Sequence, residues 1–139
     1  LKIERCVNEF NATPVSPEEI FEVPCEIFSP CGLGAVINDQ TIDKLQCQIV
    51  AGAANNQLSE ARHGDLLHQR DILYAPDYVI NAGGLINVSL GNLQVNTDQI
   101  VKKTSDIGLT LKSIFERSQL KNFPCHKIAD HMAEEILYH

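Results

Sequence analysis

The residues best placed to do chemistry in this 139-residue chain are amides, not acids, bases or thiols. Asn55 and Asn56 close the stretch "IVAGAANN", and Asn81 stands within "YAPDYVINAGGLINV", each beside small uncharged residues. A carboxamide both donates and accepts hydrogen bonds, and once buried it needs partners. Three amides at neighbouring strand ends would suit a polar ligand that carries little charge. Gly83-Gly84 alone reads as a turn or a close helix contact about as readily as a ligand site. Beside three amides, the ligand reading gains.

The other reactive side chains are less well arranged. His63 and His68 are five apart, as are His126 and His131, and neither pair has the i, i+4 spacing of a metal-binding helix. They are expected to be solvated surface groups. The five cysteines, at 6, 25, 31, 47 and 125, include no C-x-x-C pair. Reduced buried thiols are therefore expected in place of a disulfide framework or a metal site. Cys31 lies at a strand end, but no base is near it in sequence, so it reads as a small packing residue. Asp77 reads as a loop or capping residue. "GLG" at 32 to 34 lacks the third glycine of a dinucleotide loop and the acid some 20 residues further on.

These residues need elements to hold them. "LKIERCVNEF" has Ile3, Val7 and Phe10 at helical spacing, with Asn11 as a stop. Ser16, Pro17 and Glu19 spell a capping box, so a short helix should follow. "PCEIFSPCG" and "QCQIVAGAANN" read as buried strands, with helix-start residues in "NDQTIDKL" between them. "SEARHGDLLHQR" reads as a helix with Leu66 and Leu67 facing inward. "ILYAPDYVINAGG" is expected to be an extended segment broken by Pro76, with Tyr78-Val79-Ile80 as its final apolar run. Ile100, Ile107, Leu111 and Ile114 mark an amphipathic helix, and Ile128, Met132 and Ile136 mark a last one.

Short apolar strands alternating with helices imply a parallel α/β sheet covered on both faces. Three strands should end in "SPCGLG", "AGAANNQ" and "NAGG". Carboxyl ends of parallel strands share one edge, where ligands bind, and small residues there let a flat ligand approach the backbone.

Composition sets outer bounds. The values of 44% hydrophobic and 21% charged residues are those of a globular domain. A net charge of -7 offers no basic face for a nucleic-acid backbone. No apolar run reaches the length of a membrane span, and the first residues lack the plan of a signal peptide. A cytoplasmic protein is expected. Leu1 is not an initiator Met, and the chain opens inside a helical pattern, so a cut at the N-terminus is expected.

Together, "PCGLGAVIND", "IVAGAANNQL", "RHGDLLHQRDILYAPDYVINAGGLINV" and the late "AEEI" resemble the amino-acid dehydrogenases of the leucine, phenylalanine and valine type, within the wider glutamate dehydrogenase superfamily. The resemblance implies a partial Rossmann-like three-layer fold over residues 1–139, the half of an NAD-binding domain that follows its Gly-rich loop, with C-terminal helices from about residue 97. It implies NAD as cofactor and oxidative deamination of a branched-chain or aromatic L-amino acid to its 2-oxo acid. Pro30, Cys31, Gly32, Ala51, Gly52, Ala53, Asn56 and Asn81 would lie along the cofactor. Asn56, Gly84, Leu85 and Val88 would line the substrate pocket. The family's catalytic lysine and aspartate would lie upstream, so the chain alone is expected to be inactive. No metal, nucleic acid or membrane is implied, and a homo-oligomer is left open. Ser89-Leu90-Gly91 stands where the family usually has an acidic residue soon after "INV". From a different class, a non-catalytic remnant serving as a binding or oligomerisation module is the alternative.

Overall fold

The structure is a computed structural model that describes residues 2–93 and 95–138. Its centre is a three-stranded parallel sheet in the order β1-β2-β3. β1 is Cys25–Phe28, β2 is Cys47–Val50 and β3 is Leu73–Tyr74. The register pairs Cys25 with Cys47, Ile27 with Ile49, and Val50 with Tyr74. The expected α/β class with a parallel sheet and C-terminal helices is therefore correct.

One apolar core fills the space beside the sheet: Ile37, Ile42, Leu45, Val50, Leu67, Ile72 and Tyr74. Leu67 reaches it from helix α2 (Arg62–Gln69) and is fully buried, whereas Leu66 is half-buried. A second core joins the long helix α5 (Thr97–Lys121) to the last helix, α6 (Cys125–Leu137), through Ile114, Ile128 and Ala129. Asn96 caps α5, its side chain accepting from the backbone N–H of Asp98. Asn122 ends α5 in the left-handed conformation, with φ of 47°, which turns the chain back for α6 to pack on it.

Local signals and structure agree at several points. The first helix, α1 (Lys2–Phe10), stops where Asn11 adopts a positive φ of 52°. Ser16 Oγ accepts the Glu19 N–H while the Glu19 carboxylate accepts from Ser16, so the capping box is real. The turn it starts is a single 3-10 turn, Ile20–Glu22, and no longer helix forms before β1 intervenes. Ile42–Lys44 is likewise one 3-10 turn. No helix among the described residues is long and apolar enough to cross a membrane.

Two expectations fail here. Tyr78-Val79-Ile80 is not extended. Asp77–Ile80 forms a short helix, α3, and the strand has already ended at Tyr74. The backbone N–H groups of Val79 and Ile80 bond the Pro76 carbonyl, so the fixed proline starts a helical turn where side-chain propensity favours a strand. Nor are all the histidines at the surface. His63 and His126 are 1% and 6% exposed. His63 Nδ1 accepts the Glu60 N–H, and its Nε2 faces Asp39 Oδ1 at 3.1 Å. The Arg62 guanidinium and His63 hold Asp39 down at a pKa of about 2.

His126 is in a different position. Its ring lies against Gly64, where a Cβ would come within 2.5 Å of Cε1, and neither ring nitrogen has a hydrogen-bond partner. Burial pushes its pKa below the ordinary 6.5, against the pull of Asp65, with Lys127 and His68 acting in the same sense as burial and Asp130 opposing it. The unfolded chain thus binds the proton more tightly than the folded one. Stability from the neutral ring is complete above about pH 6.5 and is lost as pH falls through the depressed folded value. Urea midpoints should therefore fall between about pH 7.5 and about pH 5, and His126→Gln should flatten that slope. An unchanged slope in the variant would assign the effect to another group.

A groove at the carboxyl ends of the strands

Backbone packing fixes the loops that follow β1 and β2 against each other. The Ala51 N–H donates to Phe28, the Ala54 N–H to Pro30, and the Ala75 N–H to Val50. Gly52 sits directly on Pro30, which leaves no room for a side chain. Asn56 and Ala35 take positive φ values of 50° and 57°, and the Ala35 N–H donates to the Asn56 carbonyl at 2.7 Å.

Below that loop lies a buried polar knot. Asp77 Oδ2 accepts the Gln57 backbone N–H at 2.6 Å and the Tyr74 hydroxyl at 3.1 Å. Gln57 Nε2 donates to the Gly52 and Ala54 carbonyls, while its Oε1 is buried without a partner. Asp77 was expected in a loop or cap; it opens the first turn of α3 and links the loop after β2 to the end of β3.

The knot sets α3 and the next helix, α4 (Gly83–Asn92), beside the β2 loop. Asn81 closes α3, and its Nδ2 donates to Asn55 Oδ1 at 2.5 Å, with the Ala53 and Ala54 carbonyls at 3.4 and 3.5 Å. An open groove of about 650 Å³ results, lined by Asn55, Asn56, Tyr78, Asn81, Ala82, Gly84, Leu85 and Val88 above the buried Asp77. α4 continues through Ser89-Leu90-Gly91, so the departure from the family pattern leaves the helix intact.

The expected residues thus fall into two groups. Asn56, Asn81, Gly84, Leu85 and Val88 are gathered on the groove. Pro30 and Gly52 are buried in the packing behind it, and Ala51 is half-buried there. Ala53 contributes a carbonyl to Asn81, and Gly32 stands in open space. Cys31 is exposed, so the packing role expected for it is wrong. The Ala53 N–H and then the Ser29 hydroxyl hold its thiol below its ordinary pKa. The thiols as a set are also less buried than expected, since Cys125 alone among them is fully buried.

Sequence reasoning missed Tyr78. Its hydroxyl donates to Asp130 Oδ1 at 2.6 Å and lies 3.1 Å from the His126 carbonyl, tying the groove wall to α6. Burial and the Asp130 hydrogen bond push its pKa well above the ordinary value. Its partners lie about 50 residues away, so no local pattern could reveal them.

The groove chemistry is specific. Asn81 has committed its donor, leaving its carbonyl oxygen as the acceptor; the Asn56 amide forms no side-chain hydrogen bond among the described residues. No lysine or arginine lines the groove, so it suits uncharged polar groups and aliphatic surface, not a carboxylate. A Cβ at Gly84 would meet no atom, so packing does not require that glycine; its absence of side chain widens the groove.

Fold and groove define an α/β protein with an open groove at the carboxyl ends of a parallel sheet. The model of the Glutamate/Leucine/Phenylalanine/Valine dehydrogenase family matches residues 2–135, and the chain belongs to that family. It is 50% identical over 132 residues to leucine dehydrogenase of Thermoactinomyces intermedius, covering 95% of this chain and 36% of that protein. It is 47% identical to leucine dehydrogenase of Geobacillus stearothermophilus over 96% of this chain and 36% of that protein. The crystal structure of L-tryptophan dehydrogenase from Nostoc punctiforme superposes with a TM-score of 0.93 at 42% identity, covering 97% of this chain and 40% of that one. The chain therefore spans little more than a third of the length of these relatives.

Proposed function

We propose that this chain is the nicotinamide and substrate side-chain wall of an NAD-dependent amino-acid dehydrogenase acting on leucine or a similar branched-chain or aromatic L-amino acid. The observation that carries the reading is the groove in which Asn56, Asn81, Gly84, Leu85 and Val88 converge in a member of this family. Leu85 and Val88 are exposed there, at 73% and 60%, and aliphatic surface of this kind gains by burying a substrate's methylene groups. The Asn81 carbonyl oxygen would accept an N–H from a carboxamide or an amine, and Asn55 holds it in that orientation. The Cys31 and Pro30 loop would run along the cofactor from β1, and Ala51, Gly52 and Ala53 would do so from β2. In the complete enzyme NAD would accept the hydride released from the substrate's alpha carbon. This chain's residues would orient the reacting groups and exclude water, while the groups that move protons would come from outside the 139 residues.

The test is a chimera in which this chain replaces the matched segment of the Thermoactinomyces intermedius leucine dehydrogenase. It should oxidise L-leucine with NAD, and Asn81→Ala should reduce kcat/KM by at least about tenfold. A folded chimera that binds NAD but turns over no apolar amino acid would defeat the reading. The 139-residue chain by itself should show no turnover with leucine and NAD even at high concentration. Measurable activity from it would be equally damaging.

A further inference from the structure

The short helix α3 sends its side chains to different neighbours. Asp77 bonds the loop after β2, Val79 packs on the core between α5 and α6, and Asn81, which closes the helix, donates to Asn55. Tyr78 is half-exposed and lines the groove. It also lines a second, smaller cavity of about 210 Å³, whose wall includes His126 and Asp130 of α6. Tyr78 thus stands where the two cavities meet.

A side chain bordered by two cavities is not locked by the close packing that holds core rotamers. The Tyr78 hydroxyl supplies the constraint. It donates to Asp130 Oδ1 at 2.6 Å, the length of a charge-assisted O–H···O bond, and lies 3.1 Å from the His126 carbonyl. Burial, and then this bond, push the phenol pKa well above its ordinary value, so the proton stays on the tyrosine and the bond keeps its direction. Asp130 stands on a firm element, because Ile128 and Ala129 just before it are buried in the second core.

We propose that Asp130 is a positioning residue for the dehydrogenation, acting through Tyr78, whose ring it holds as a wall of the groove beside Asn56 and Asn81. This role rests on the groove being the nicotinamide and substrate wall. Asp130 itself lies outside the groove lining. Asn81 follows Tyr78 at i+3, on the same helical face, so a ring free to turn would also disturb the amide that orients the reacting groups. Hydride transfer needs those groups held in near-attack geometry. Loss of the Asp130 contact should therefore act on kcat more than on KM.

The 139-residue chain tests the contact by NMR with carbon-labelled tyrosine, since its three tyrosines give three ring Cζ resonances. Tyr78→Phe identifies the Tyr78 resonance by its loss. In Asp130→Ala, a change at an exposed position that should not disturb folding, that resonance should move toward the one of exposed Tyr138. The leucine dehydrogenase chimera tests the consequence. Asp130→Ala and Tyr78→Phe should each lower kcat for L-leucine about threefold to tenfold, with KM for leucine and NAD changed less than about twofold. The double variant should lose no more than either single one, because both remove the same bond. Asp130→Asn keeps an acceptor oxygen and should recover most of the lost kcat. An unmoved Tyr78 resonance in Asp130→Ala would overturn the proposal. So would an active chimera whose kcat ignores that change, losses that add in the double variant, or an asparagine variant no better than alanine. A chimera without turnover would defeat the dehydrogenase reading and the catalytic role built on it, and the resonance would then decide the contact alone.

Discussion

Asp77→Ala is expected to lower the free energy of unfolding by about 3 kcal/mol, because it strips charged acceptors from two buried donors at once. The Gln57 N–H and the Tyr74 O–H, bonded at 2.6 and 3.1 Å, would remain inside the fold without acceptors, although the Tyr74 oxygen keeps the backbone N–H of residue 77. Gln57 is fully buried and Tyr74 nearly so, which leaves water little access to replace the carboxylate. Asp77→Asn keeps an acceptor oxygen and loses the charge, so roughly half the destabilisation should remain. The effect extends to the groove. Asp77 ties the loop bearing Asn55 and Asn56 to the helix bearing Asn81, so the alanine variant should also reduce turnover in the chimera. Equilibrium urea unfolding followed by circular dichroism measures the first effect. A loss under about 1 kcal/mol would mean that the knot is not the support described.

Gly52→Ala is expected to be comparably severe for a different reason. Its Cβ would lie 2.5 Å from the Pro30 nitrogen and would also overlap the Pro30 carbonyl oxygen. These are backbone atoms, and no rotamer change can move them aside. The loops after β1 and β2 must part, which costs about 3 kcal/mol, the upper range for overpacking. The Ala54 N–H to Pro30 bond of 2.9 Å would break, and the Ala53 carbonyl would move away from Asn81. Gly84→Ala provides the contrast. Its Cβ meets nothing and its position is helical, so stability should hold or rise by up to about 1 kcal/mol. A methyl group there would nonetheless narrow the groove. Gly52→Ala with wild-type stability and Gly84→Ala with lost stability would reverse the assignments given to the two glycines.

Much of the architecture was legible from spacing. Ile100, Ile107 and Ile114 are in phase over 25 residues of α5, and a helix that long repeats its signal often enough to be read without its partners. Ser16 and Glu19 likewise advertise their own geometry, because a capping box closes within four residues. Parallel pairing of β1 and β2 followed from apolar runs separated by enough chain for a crossover. The groove residues Asn56, Asn81, Gly84, Leu85 and Val88 were legible through the motif that contains them, although the motif conveyed nothing of their mutual distances.

What remained hidden depends on contacts far apart in sequence. Tyr78-Val79-Ile80 has strand composition, and it becomes helical because Pro76 accepts the turn's hydrogen bonds and the Asp77 carboxylate is needed by Gln57. His126 is buried because Gly64, 62 positions earlier, leaves a flat place for its ring. Asn55 reads as the lesser of its pair until Asn81 is seen to donate to it. The sequence by itself determined the class of fold, the family and the ends of the first two strands, since these rest on local periodicity and short motifs. Only the tertiary structure decided which amide orients which, that Asp77 supports the groove from beneath, and that Tyr78 is tied to Asp130 on α6. Each of those depends on how separate segments pack, and packing energy is shared among residues that the linear chain keeps apart.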